Sequence, residues 1–431
     1  MNADARLAAD HAAVLDALPA DEVAPGERRA ALAAVTERGL PAPREENWRY
    51  ANLRPLASLR FVPRLALDAA ALERAAALLP EPIPGFERVV LVDGLYAASL
   101  STPPGESAGV ALAVRRGLGL RADPATGDLR LASLAAAFAP EALAIEAGAD
   151  ATRQLEVICV ATAPGETTAS YPALTIDVAA RGRLKLIERQ LGVDEPATFA
   201  NAAIEVRLGA AAQLHHVRLQ QAGRQAVHFE TLRATLEADA DYQLDTIALG
   251  ALSARTTMHA RLAGRGARIA YGRSVAIDDT QVNDACVTIE HAAPATVTEQ
   301  DYRGIAAGRA RVGFNGRVVM RDNAAGSASR QSLRSLLAGP GTEADVRPQL
   351  EIYTDDVKAS HGATAGKLDE QMLFYLLSRG IEPRTAKSLL KWAHLTELVA
   401  RVASPELRAQ VERAFAARFT GDDAEVAREL T

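Results

Sequence analysis

"AIEVRLGAAAQLHHVRL", residues 203–219, decides the fold. Its first half alternates apolar and polar side chains through Ile204, Val206 and Leu208, and a period of two marks a half-buried strand. The small residues Gly209 to Ala212 then turn the chain, and a second extended run begins at Leu214. The same unit recurs upstream, where "LTIDV" (174–178) leads to "LKLIE" (184–188). Downstream it returns in "LRATLEADADYQLDTIAL" (232–249), in "MHARLAGRGARIAYGR" (258–273) and more loosely in "VTIEHAAPATVTEQ" (287–300). Aligning the turns at Gly182, Ala211, Ala240, Gly266 and Pro294 gives a spacing of roughly 26 to 29 residues, which marks stacked repeats. Repeats made of strands alone predict a β-solenoid, or β-helix. One coil cannot close a core, but stacked coils bury a continuous apolar column and pair one another's backbones. From pattern alone a β-sandwich is the alternative.

Outside the repeats the period changes. Residues 3–18 and 26–38 carry helical patterns, the second stopping at Gly39 with Pro41 and Pro43 beyond. "ENWRYANLRPL" (46–56) gathers Trp48, Tyr50, Leu53 and Leu56 as anchors of a small helical domain. "FERVVLVDGLYAASL" (86–100) reads as a strand, an Asp-Gly turn and another extended piece. After the repeats, "DEQMLFYLLSRG" (369–380) has acids at its start and glycine at its end, as a helix should. Further helices are expected from Pro383 to Val402 and after "SPEL" (404–407), with a frayed acidic tail. The predicted organisation is a helical domain over 1–85, a mixed linker region with short strands over 86–150, a β-helix core over 151–365 and a helical domain over 366–431.

Composition narrows the function. The 431 residues carry a net charge of -6, 24% charged and 4% aromatic side chains. No basic stripe points to nucleic acid, and no long apolar run or basic amphipathic helix points to a membrane. Cys159 and Cys286 are far apart and form no disulfide framework, which fits a reducing, cytoplasmic setting. "GATAGK" (362–367) falls one residue short of a phosphate-binding loop and lacks its hydroxyl, because Leu368 follows Lys367. His215 and His216 are adjacent on a strand and so point to opposite faces. His228, His259 and His291 fall in different repeats and read as core or surface residues, although equivalent positions of a solenoid could stack two of them. "IDDTQVND" (277–284) reads as a polar turn. No paired carboxylates or activated nucleophile emerge. A rigid solenoid with helical ends and no self-contained catalytic machinery points to a scaffold rather than an enzyme.

One segment carries a specific likeness. "QLEIYTDDVKASHGATAGKLDEQMLFYLLSRGI" (349–381) resembles the signature of the SufD branch of the SufB/SufD family of iron–sulfur cluster assembly proteins. "GLPAPREENWRYANLRPL" (39–56), "LVDGLYAASLS" (91–101) and "GRVVMRDNAAGSASRQSLRSLLAGPGTEADVRPQLEI" (316–352) resemble its other blocks, in the same order. The resemblance implies a right-handed parallel β-helix flanked by helical domains. It implies pairing with SufB through the β-helix and docking of the ATPase SufC on the C-terminal helices. It also implies a transient iron–sulfur cluster in the complex, with no cofactor held stably by this chain alone. The interface loop then contains Asp355, Asp356, Lys358, Ser360 and His361, with His361 the candidate iron or cluster ligand. Many relatives have cysteine two residues earlier, where this chain has Ala359, so any thiolate must come from SufB. Lys387, Lys391 and Trp392 are the candidates for docking SufC. In isolation, a homodimer through the β-helix edge is expected. Two other readings are a SufB-like subunit carrying the cluster itself, for which Cys286 is the late β-helix thiol, and a β-helix carbohydrate-active enzyme, against which the few aromatics speak.

Overall fold

A computed structural model of the chain describes residues 3–102, 110–118, 128–163 and 165–420. Two long sheets dominate it. One has 11 strands and the other 10, and successive strands of the chain alternate between them. The larger sheet runs in space from Val110–Arg115 through Ala142–Ala147, Ala173–Val178, Thr198–Leu208, Val227–Leu236, Ser253–Leu262, Val282–His291 and Arg311–Met320 to Glu343–Ile352. The smaller runs from Glu87–Val92 through Thr152–Ala161, Arg183–Gly192, Gln213–Gln221, Asp241–Ala248, Arg268–Ile277, Val297–Ala307 and Ser327–Ala338 to Val357–Lys367. From one coil to the next the pairing is parallel and without slip. Ile204 pairs with Leu232, Leu232 with Met258, and Met258 with Val287. This is a parallel β-solenoid, as the repeat pattern predicts.

The turns explain the repeat. Arg181, Ala211, Asp239, Gly266 and Ala295 adopt positive φ, each within one residue of the turn read from the sequence. Each donates its backbone N–H to a carbonyl in the following coil: Arg181 to Ala210 (2.9 Å), Ala211 to Ala238 (2.8 Å), Asp239 to Arg265 (2.8 Å), Gly266 to Pro294 (3.2 Å) and Ala295 to Ala325 (2.9 Å). A left-handed residue turns its N–H along the stack, so the corner itself becomes a rung of the ladder. Small side chains are needed because coils meet closely there. A Cβ on Gly264 would lie 1.9 Å from the Ala238 nitrogen.

Three layers follow from the alternation. Inward residues such as Ile204, Val206, Leu208, Leu232, Leu236, Leu262, Ile269, Val287 and Phe314 fill one continuous column. Five N-terminal helices flank the solenoid: α1 (Ala3–Val14), α2 (Pro25–Thr36), α3 (Arg54–Ser58), α4 (Ala69–Leu78) and the buried α5 (Arg130–Phe138), most of them over the outer face of the larger sheet. Of these, α4 packs instead over the Glu87–Val92 and Thr152–Ala161 strands. Trp48 is the pin of this layer. Its Nε1 donates to Asp128 (2.7 Å) and its ring lies 4.0 Å under the Arg255 guanidinium. Beyond the solenoid come α6 (Glu370–Ser378), α7 (Pro383–Val399) and α8 (Pro405–Thr420). Leu395, Val399, Val411 and Phe415 pack on Val217, Ile247 and Ile305, which cover the outer face of the smaller sheet. None of the helices is long and apolar enough to cross a membrane among the described residues.

Two segments differ from their reading in the sequence. The stretch 86–150 contains solenoid strands, since Glu87–Val92 pairs in parallel with Thr152–Ala161 and Ala142–Ala147 with Ala173–Val178. The first coils lack a clear repeat because their partners are short and one pairing, Val110–Arg115 with Ala142–Ala147, is antiparallel. The second is the loop-like "TDDVKASHGAT", which is mostly strand. Val357–Lys367 is the last rung of the smaller sheet, and "GATAGK" is its extended end rather than a phosphate cradle. Glycine, alanine and serine hide the alternation there. The acidic tail after Thr420 lies outside the described residues.

Candidate functional site: the open last coil

Every inner coil is paired on both sides, but the last is paired on one. Val357–Lys367 bonds to Ser327–Ala338, and Glu343–Ile352 bonds to Arg311–Met320. Among the described residues neither strand has a partner on its other edge. The apolar column thins out beneath them, and Leu337, Ala344 and Val346 are partly buried where their counterparts in earlier coils are sealed. Ile352 and Tyr353 stand 44% and 59% exposed beside the opening. Two unpaired strand edges of 10 and 11 residues are a template for another chain.

The register places the candidate residues. His361 aligns with Gln331, Ala359 with Ser329, and Ala363 with Leu333. Gln331 and Leu333 are buried, so Ala359, His361 and Ala363 share the inward-facing side. Lys358 and Ser360 lie on the opposite side. Asp355 and Asp356 form the exposed turn before the strand, where the Asp356 carbonyl accepts the Gly326 N–H (2.7 Å). His361 is exposed. No three His, Cys, Asp or Glu groups among the described residues come close enough to hold a metal ion. His361 is thus a single exposed imidazole on the open last coil.

The other histidines and the cysteines are occupied elsewhere. His216 points inward, with Nδ1 3.1 Å from the Tyr242 hydroxyl and Nε2 3.1 Å from Glu188. Arg218 bridges Glu188 (2.8 Å) and Glu230 (2.7 Å), and His228 also faces Glu230 (3.2 Å). So His216 and His228 do meet one cluster, but across the interior rather than up one ladder. Burial alone would raise the Glu188 carboxyl, yet Arg218 and His216 outweigh it and hold the pKa down at about 2. Burial pushes His291 down to about 4, and its ring nitrogens face Thr296 (2.7 Å) and Thr298 (2.8 Å). Burial raises both thiols. Cys159 is sealed in the column, and Cys286 lies half-buried on the outer face of the larger sheet, away from the His361 row.

On α7, Lys387 is exposed, whereas Lys391 is partly buried and burial lowers its pKa. Trp392 is half-buried, its ring 5.8 Å from Phe415. The helix with the free apolar face is α6. None of its residues is buried, and Met372, Phe374 and Tyr375 are 52%, 73% and 53% exposed. It is well formed all the same, with the Asp369 side chain accepting the Gln371 (2.8 Å) and Met372 (3.0 Å) N–H groups. The signal in the sequence was the run "MLFYLL", six apolar residues with no polar stripe to turn to water.

Comparison with known proteins identifies a family. A family model described as "SUF system FeS cluster assembly, SufBD core domain" matches residues 160–394. The iron–sulfur cluster assembly protein SufD of Escherichia coli is 28% identical over 396 residues, 90% of this chain and 92% of that protein. A SufBD family iron–sulfur cluster assembly protein of Synechocystis is 24% identical, covering 92% of each chain. The chloroplastic protein ABCI7 of Arabidopsis thaliana is 28% identical over 56% of this chain and 51% of its own length.

Proposed function

The chain belongs to the SUF-system SufBD family of iron–sulfur cluster assembly proteins, and on that footing we propose that it is a SufD-like, non-catalytic scaffold subunit. In this reading it joins SufB and the ATPase SufC in the cytoplasm, and the complex builds a cluster and passes it to acceptor proteins. The observation that carries the proposal is the open last coil, with two edges unpaired among the described residues and His361 on one of them. A SufB coil set against those edges would continue both ladders and seal the column. His361 then supplies an imidazole to the nascent cluster, which is cargo, while sulfur ligands come from SufB, because Ala359 has none. Nucleotide chemistry belongs to SufC. The free apolar face of α6 is the better candidate surface for that ATPase, with exposed Lys387 beside it, than Trp392, which is engaged inside the helical domain.

The test is co-expression with SufB and SufC followed by anaerobic reconstitution. The chain is expected to co-purify with both. The His361→Ala variant is expected to leave the complex intact and lower the cluster yield. Co-purification with neither partner overturns the scaffold reading, and an unchanged yield removes His361 as a ligand.

A further inference from the structure

Beneath His361 lies a buried amide that is only half satisfied. Gln331 is 2% exposed and stands in register with His361 on the preceding rung, so both project to the same side of the sheet, ~4.8 Å apart. Its Nε2 donates to Gln300 Oε1 (3.0 Å), one coil further back, and to the Gly316 carbonyl (3.0 Å) across the interior. Those two bonds fix how the amide lies. The NH2 is thereby committed to groups outside the last coil, and Oε1 takes no part in either bond. That oxygen is buried and has no hydrogen-bond partner. Gly316 permits the arrangement, since a Cβ there would press within 2.8 Å of Gln300 Oε1 and 2.9 Å of Gln331 Nε2. A buried acceptor without a donor is costly, and the nearest rung carries an exposed imidazole with an N–H to give.

We propose that Gln331 is a positioning residue for His361. Its Oε1 accepts one ring N–H, which fixes the tautomer and the ring plane. The other ring nitrogen then presents its lone pair out of the open coil, toward iron in the cargo. Metal-binding histidines commonly donate their second N–H to such an acceptor. The inference rests on His361 as a ligand, but the hydrogen bond can be tested without cargo.

The first measurement uses the full-length isolated chain with isotope-labelled histidine, the His361 signal being assigned by its loss in H361A. In the wild type one His361 ring N–H is expected to be protected from exchange with water. Gln331→Met should abolish that protection with the fold retained. Gly316→Ala should do the same by displacing the amide, without altering either partner. A wild-type His361 with no protected N–H overturns the proposal whether or not either variant folds, and so does protection that survives in Q331M. The second measurement titrates iron into the SufB–SufC complex, where Q331M should weaken binding roughly 10- to 100-fold. An H361A complex that binds iron as well as wild type would remove the ligand reading alone, since the exchange data on the free chain still decide the hydrogen bond.

Discussion

Replacing Arg218 by methionine takes away the guanidinium that bridges Glu188 and Glu230 inside the column. All three are buried, at 3%, 0% and 4% exposure. Truncating one member of a buried ionic set leaves the other charges unpaired and costs about 3 to 5 kcal/mol. The wild-type carboxyl gives a second route to the magnitude. Its fall from 4.5 to about 2 corresponds to about 3 kcal/mol of stability. Because the folded pKa is depressed, that stability is present above about pH 4.5 and is lost as pH falls toward 2. In Arg218→Met the sign reverses. Burial is then the dominant influence and lifts both carboxyls, so the variant is weakest at neutral pH and recovers as they protonate. Urea unfolding of both proteins at pH 7, 5.5 and 4 reads the difference, and acid groups common to both cancel. The gap is expected to narrow as the pH falls from 7 to 4. A gap below about 1 kcal/mol at pH 7, or one independent of pH, would refute the claim that this set is a coupled buried ion network rather than a solvated one.

The remaining predictions concern how the layers and partners attach. Arg401, just after α7, reaches Asp245 (2.9 Å) and Asp301 (3.7 Å) over Gly272, where a Cβ would lie 3.1 Å from the guanidinium. Arg401→Ala should cost about 2 kcal/mol and raise hydrogen exchange across residues 383–420 while the inner strands stay protected; uniform protection would mean the contact holds nothing. Phe374→Glu on α6 should abolish co-purification of SufC without changing thermal stability, because the side chain it replaces is 73% exposed. The isolated chain should be a dimer by light scattering and a monomer when Ile352 and Tyr353 are both changed to aspartate; a wild-type monomer would show that the open edge does not pair with itself.

What could be read from the sequence follows the physics of each region. The middle coils were legible because two periods coincide there, alternation along the strand and left-handed corners at Ala211, Asp239 and Gly266. The first coils were not, since the strand that opens them is covered by α4 on the outside and is apolar on both faces. "ERVVLV" is an example, with its last four residues buried in a row. The final strand, within 354–364, was read as loop-like for the opposite reason. Its row Ala359, His361, Ala363, Ala365 has almost no apolar contrast with Lys358, Ser360, Gly362 and Thr364. The residues of the site came from a motif, but their juxtaposition did not. Nothing in the spacing of Gln300, Gly316, Gln331 and His361 marks them as neighbours, because the intervals between rungs vary from 26 to 32 residues with the length of each turn, as Val227↔Ser253 and Arg311↔Glu343 illustrate.

The poverty of that last row is itself an argument about function. The inward row one coil back is Ser329, Gln331, Leu333 and Ser335, and two coils back Thr298, Gln300, Tyr302 and Gly304. A solenoid that ended for its own sake would close the column with a bulky or charged cap, or fold a helix over it. This one ends on alanines and a histidine, and its helices α7 and α8 lie along the side of the smaller sheet. Small side chains keep the column shallow at the opening, which leaves volume for side chains that the chain does not possess. His361 stands in register one rung beyond the buried Gln331, exposed at the open end of the stack. On the proposed reading the ligand set is shared across an interface: the half that fixes orientation lies in this chain, and the half that supplies charge and sulfur lies in the coil that completes the stack.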